Sequence, residues 1–134
     1  ASTPVGESDP LDGYDPAGPL PVATIFLGGG TPSVLEPAQI GRILDTCARH
    51  YALAPDVEIT MEANPGTISA AKFAGYRAAG VNRLSMGVQS FDDAMLKALS
   101  RIHTADQARE AFWRARRAGF DNITLDLIFC RPGQ

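Results

Sequence analysis

Two stretches of this chain, AAGVNRLS at 78–85 and RAGFDNIT at 117–124, share one succession: a glycine that closes a helix, an apolar residue, polar turn residues, then a strand. A helix that stops on glycine and feeds a strand is the return half of a βαβ crossover, so its reuse points to parallel strands. The remaining sequence keeps that grammar. From Ala23, ATIFLGG reads as a buried strand, and Pro37 opens a helix with Ile40, Ile43, Leu44 and Cys47 on one face. VEITMEANP is a second strand, and Ser69 is placed to cap the helix that ends at Gly80. RLSMGVQS is a third strand, followed by a short helical stretch around Asp92 to Leu99. A longer helix from about Ala105 carries Thr104 and Gln107 at capping-box spacing and closes at Gly119 before the last strand, NITLDLIF. The expected class is α/β, with parallel βα repeats forming an arc of a partial (β/α) TIM-like barrel; an open doubly wound sheet is the alternative. Residues 1–22, rich in Pro, Gly, Asp and Ser without apolar period, read as a flexible N-terminal segment ahead of one domain over 23–134.

Composition narrows the partners. With 45% hydrophobic and 20% charged residues the chain can bury a core, and its net charge of -3 argues against a nucleic-acid face. No apolar run approaches the roughly 18–20 residues that cross a bilayer, and the N-terminus lacks the basic and apolar regions of a signal peptide, so a cytoplasmic location is expected. Two cysteines cannot build a disulfide framework or a four-cysteine metal site. Cys47 reads as packing on its apolar stripe, while Cys130 falls in the loop-like FCRPGQ.

Ligands of parallel α/β folds bind at the carboxyl ends of the strands, where this chain places polar groups repeatedly. The first strand ends in Gly28-Gly29-Gly30-Thr31, the second in Glu62 and Asn64, the third in Gln89 and Ser90, and the fourth carries Asp126. The glycines can form a tight turn or admit a ligand close to the backbone. GGGTP lacks the Walker lysine and the GxGxxG spacing of phosphate loops. Asp126, between Leu125, Leu127 and Ile128, needs a partner, either a ligand or a core hydrogen bond. Arg101 offers a donor fork suited to a carboxylate, or is a solvated helix-end charge. His103, beside a helix cap, reads as solvated rather than as a metal ligand.

In the order GGGTPS, EITMEANPGT, NRLSMGVQSFDD, LSRIHT and AGFDNITLDLIF, residues 23–134 resemble the radical S-adenosylmethionine proteins related to oxygen-independent coproporphyrinogen III oxidase, a family that includes HemW-type heme chaperones. The resemblance implies a partial barrel that binds S-adenosylmethionine and a [4Fe-4S] cluster at its strand-end mouth. It implies that Gly29, Gly30 and Thr31 meet the methionine end of the cofactor, and that Glu62 attracts its ammonium or a second cofactor molecule. Arg101 resembles the partner of the cofactor carboxylate, and Gln89 and Asp126 resemble contacts to its nucleoside. Elementary chemistry is compatible, since a zwitterion needs an acid and a base and ribose hydroxyls suit carboxylate and amide acceptors.

The sequence departs from the family in two places. The family holds its cluster with a CxxxCxxC loop ahead of GGGTP, and this chain has none, so the chain alone is expected neither to ligate a cluster nor to perform radical chemistry. It is read as a central fragment or truncated product. A glycine and an apolar residue are expected where Cys130 and Arg131 stand, which puts a residue with a Cβ at a position suited to positive φ. RIHT at 101–104 resembles the HemW-type relatives, so the expected function is a heme chaperone binding heme, with a coproporphyrinogen oxidase acting on porphyrinogen, or an inactive cluster-less fragment, as alternatives.

Overall fold

A computed structural model describes residues 18–130 and contains one sheet of four parallel strands in the order β1-β2-β3-β4. The strands are β1 (Pro21–Leu27), β2 (Ala52–Ala63), β3 (Arg83–Gln89) and β4 (Asn122–Leu127). Between them lie α1 (Pro37–His50), α2 (Ala70–Ala78), and the pair α3 (Asp93–Ala98) and α4 (Ala105–Arg117). β1 begins at Pro21, two residues inside the stretch expected to be a flexible segment. Most of that segment, and Arg131 with the residues after it, lie outside the described residues.

Strand order equal to chain order separates the two expected architectures. A doubly wound sheet reverses direction and carries helices on both faces, whereas successive steps to one side leave them all on one face. Here Ile40 and Leu44 of α1, Phe73 and Tyr76 of α2, and Ala108 and Ala115 of α4 share one core with Ile59, Met61, Ala63, Leu84, Met86 and Val88 of the strands. The sheet is therefore an arc of a barrel, with helices outside. Its other face is mostly polar, with exposed Phe26 beside Thr60 as an apolar exception. Arg83 bonds to Glu58 Oε1 at 3.2 Å, to Thr60 Oγ1 at 3.3 Å and to Thr124 Oγ1 at 3.0 Å, which leaves Thr60 buried without joining the apolar core.

Local signals were placed as the sequence predicts. Ser69 Oγ accepts from Lys72 N, Thr104 and Gln107 cap α4 reciprocally, and Gly80 and Gly119 adopt φ of +110° and +91°. Other features differ. β2 reaches back to Ala52, and the register with β1 slips between Val22 and Thr24, where β2 passes from Leu53 to Glu58. Pro55 stands in that slip, so its missing N–H breaks no regular ladder. On α1, Ile40 and Leu44 are buried, but Cys47 is only half-buried and Ile43 is exposed, so the core stripe is narrower than the sequence suggests.

Candidate functional site

At the carboxyl ends of the strands a cleft of about 280 Å³ opens, lined by Gly30, Thr31, Glu62, Ser85, Gly87, Gln89, Arg101 and Asp126, with Pro32, Ala63 and Asn64 completing the wall. Six of the seven residues selected from the sequence thus meet at one rim. The seventh, Gly29, stands just behind it and donates its N–H to Glu62 Oε2 at 3.2 Å. That bond ties the glycine loop of β1 to the end of β2. Gly29 and Gly30 have φ of +85° and +61°, and no atom lies within 4 Å of where a Cβ would stand on either. The glycines serve both readings considered above: the turn needs left-handed dihedrals, and space is left open beside the backbone.

β3 contributes through alternation. Leu84, Met86 and Val88 enter the core, which turns Ser85, Gly87 and Gln89 to the cleft. Gln89 has a φ of 68°, an uncommon conformation for a residue with a Cβ, and its Nε2 lies 3.0 Å from where a Cβ on Gly87 would stand. A bare Gly87 lets the amide fold back over the strand. Asp126 is exposed, contrary to its apolar sequence surroundings, because alternation on β4 sends it to the face opposite the core. Its Oδ2 accepts from Ser85 Oγ at 2.8 Å. Ser85 was missed as a site residue, although its alternation with Gly87 and Gln89 places it on the cleft face.

Arg101 enters from the loop between α3 and α4. The loop is pinned at three points: Arg101 N donates to Leu96 O at 2.9 Å, Ala105 N donates to Asp93 Oδ1 at 2.7 Å, and His103 Nε2 lies 3.0 Å from Val88 O. His103 is 2% exposed, which corrects the solvated reading. A carbonyl only accepts, so this bond requires the proton on Nε2. Arg101 itself is exposed, and among the described residues its guanidinium has no ion-pair or hydrogen-bond partner. It is a free donor fork facing a cleft that also holds two carboxylates. Ser90 is spent on Asp92 N and Asn64 Oδ1 on Gly66 N, so both shape loops.

This donor set suits a zwitterionic nucleoside: an acid beside open backbone at one end, a cation free to take a carboxylate, and amide, hydroxyl and carboxylate groups for hydroxyls. It does not suit an iron–sulfur cluster. Among the described residues no three His, Cys, Asp or Glu side chains are grouped to hold a metal, and Cys47 lies on α1 while exposed Cys130 follows β4. Cys130 has a φ of 61°, so the backbone takes the left-handed form anticipated for glycine there. No helix among the described residues is long and apolar enough to cross a membrane.

Comparison with known proteins agrees with this fold. Residues 15–134 match the Radical SAM superfamily. The chain is 49% identical over 113 residues to the heme chaperone HemW of Escherichia coli (strain K12), covering 84% of this chain and 30% of that protein. It is 46% identical over 111 residues to the heme chaperone HemW of Lactococcus lactis subsp. lactis (strain IL1403), covering 83% of this chain and 29% of that protein. Among solved structures it is similar to coproporphyrinogen III oxidase (HemN) from Escherichia coli, a radical SAM enzyme, with a TM-score of 0.76 and 34% identity over 85% of this chain and 26% of that one. The chain therefore spans less than a third of the length of these relatives.

Proposed function

This chain belongs to the radical SAM superfamily, and we propose that its cleft is the S-adenosylmethionine site of a HemW-like heme chaperone. The observation that carries the reading is the convergence of the glycine loop, Glu62 and Arg101, which has no partner among the described residues, on one cleft at the strand ends. In this reading Arg101 takes the cofactor carboxylate, and Glu62 attracts the ammonium while orienting the loop through Gly29 N–H. Gly30 and Thr31 meet the methionine end, and Gln89 and Asp126, the latter oriented by Ser85, take the nucleoside. When joined to a reduced [4Fe-4S] cluster, the cofactor of this superfamily supplies a 5'-deoxyadenosyl radical; the residues described here bind and orient it. Any cluster ligands belong to residues outside those described.

The heme branch rests on similarity. Identity is higher to the two chaperones than to the oxidase, which favours heme binding over porphyrinogen oxidation. A hemin titration and an anaerobic coproporphyrinogen III oxidase assay on the same reconstituted full gene product separate the two. Saturable heme binding with little conversion is expected; robust conversion without specific heme binding establishes the oxidase instead.

A further inference from the structure

We infer that Lys72 and Tyr76 of α2 are positioning residues that hold the far end of the glycine loop and thereby set where Gly29, Gly30 and Thr31 stand in the cleft. The bare loop is tied to the sheet by β1 on one side and by the Gly29–Glu62 bond, and nothing stands within 4 Å of where a Cβ on Gly29 or Gly30 would be. Its other side runs into a 3-10 turn (Pro32–Val34), closed by Val34 N to Thr31 O at 3.0 Å and Leu35 N to Pro32 O at 3.1 Å. The carbonyls of Ser33, Val34 and Leu35 then point toward α2. Lys72 Nζ reaches them at 3.3, 3.2 and 3.4 Å and pairs with Glu36 Oε1 at 3.0 Å. The buried Tyr76 hydroxyl lies 2.6 Å from Leu35 O and 3.0 Å from Ser33 O.

Proton counting shows how specific this is. An ammonium has three protons and a phenol one, and together they serve three consecutive carbonyls and a carboxylate. Carbonyls that end a short helical turn carry partial negative charge, which a cation offsets. Lys72 and Tyr76 lie four apart on one helix face, and between them Gly75 permits close approach: a Cβ there would stand 2.6 Å from Pro37 Cγ. The contacts span 37 to 43 residues of sequence, so α2 grips the loop directly and does not merely pack near it.

This inference rests on the cofactor reading for its ligand, and it is tested in the full gene product with Lys72→Met, Tyr76→Phe and the conservative Lys72→Arg. Affinities are measured for S-adenosylmethionine and for 5'-methylthioadenosine, which lacks the amino-acid end; amide hydrogen exchange of residues 28–36 is followed without ligand. Lys72→Met is expected to weaken S-adenosylmethionine about tenfold and 5'-methylthioadenosine less than twofold, with Lys72→Arg recovering part of the loss. Exchange in 28–36 should quicken in Lys72→Met and in Tyr76→Phe, which keeps its ring in the core. Equal losses for both ligands, or no loss for either, overturn the inference. If the unaltered protein binds neither ligand, the cofactor reading fails; unchanged exchange in 28–36 then overturns the clamp independently, and faster exchange sustains it.

Discussion

Gly75 and Gly41 provide a matched test of how α2 is seated. Both lie inside helices, where alanine is the better helix former by about 1 kcal/mol. Propensity alone predicts that both become more stable on substitution by alanine. The surroundings differ. At Gly41 an added Cβ meets Ala79 Cβ at 3.8 Å, ordinary van der Waals contact, so Gly41→Ala should stabilise by about 0.5–1 kcal/mol. At Gly75 it would stand 2.6 and 2.7 Å from Cγ and Cβ of Pro37. The proline ring is tied to the first turn of α1 and cannot swing aside as a long side chain would, so the helices must separate. Overpacking of this kind costs about 1–3 kcal/mol, which offsets the propensity gain of about 1 kcal/mol and leaves Gly75→Ala up to about 2 kcal/mol less stable, with no net gain. Urea unfolding of the full gene product, followed by circular dichroism, measures both variants. If Gly75→Ala gains as much as Gly41→Ala, the seating of α2 on Pro37 does not govern this region and the reasoning fails.

Arg101→Ala should weaken S-adenosylmethionine binding by about 1.5–3 kcal/mol, the worth of a charge-assisted hydrogen bond, and an unchanged dissociation constant would identify Arg101 as a surface charge. His103→Leu should lower stability by about 0.5–1.5 kcal/mol because it removes the bond to Val88 O, which is left with Ser90 N as its donor, and unfolding at the unaltered denaturant midpoint would sink that account. Burial raises the pKa of Tyr76 above 10.0, and the Glu36 hydrogen bond raises that of Lys72 above 10.5. Both groups keep their protons longer in the folded state, so the stability they contribute is complete below pH 10 and falls as pH rises beyond it. Tyr76→Phe should flatten part of that alkaline decline; parallel profiles from pH 8 to 11.5 would show that the phenol takes no part.

The elements, their caps and the closing glycines were legible because they depend on neighbours within one turn: Ser69, Thr104 with Gln107, Gly80 and Gly119 behave as their sequence context demands. The rim was legible for a similar reason, since parallel strands bring their carboxyl ends together and Glu62, Gln89 and Asp126 each stand at or near one. What stayed hidden depends on distant partners. His103 reads as a polar residue beside a cap, yet the end of β3 covers it. Asp126 reads as needing a ligand or a core hydrogen bond, and its partner among the described residues is Ser85 Oγ on the exposed face, which the sequence alone does not single out. The Lys72 contacts join residues up to 39 apart, and nothing in AAKFAGY announces a carbonyl acceptor at 33–35.

The central claim is that the strand-end cleft binds S-adenosylmethionine. It is tested most directly by determining the structure of the full gene product with that molecule at saturating concentration. The account predicts the amino-acid end against Gly29–Thr31, its carboxylate within hydrogen-bonding distance of Arg101, and the nucleoside toward Gln89 and Asp126. A ligand bound at the opposite ends of the strands, or a cleft left empty at saturation, would contradict it.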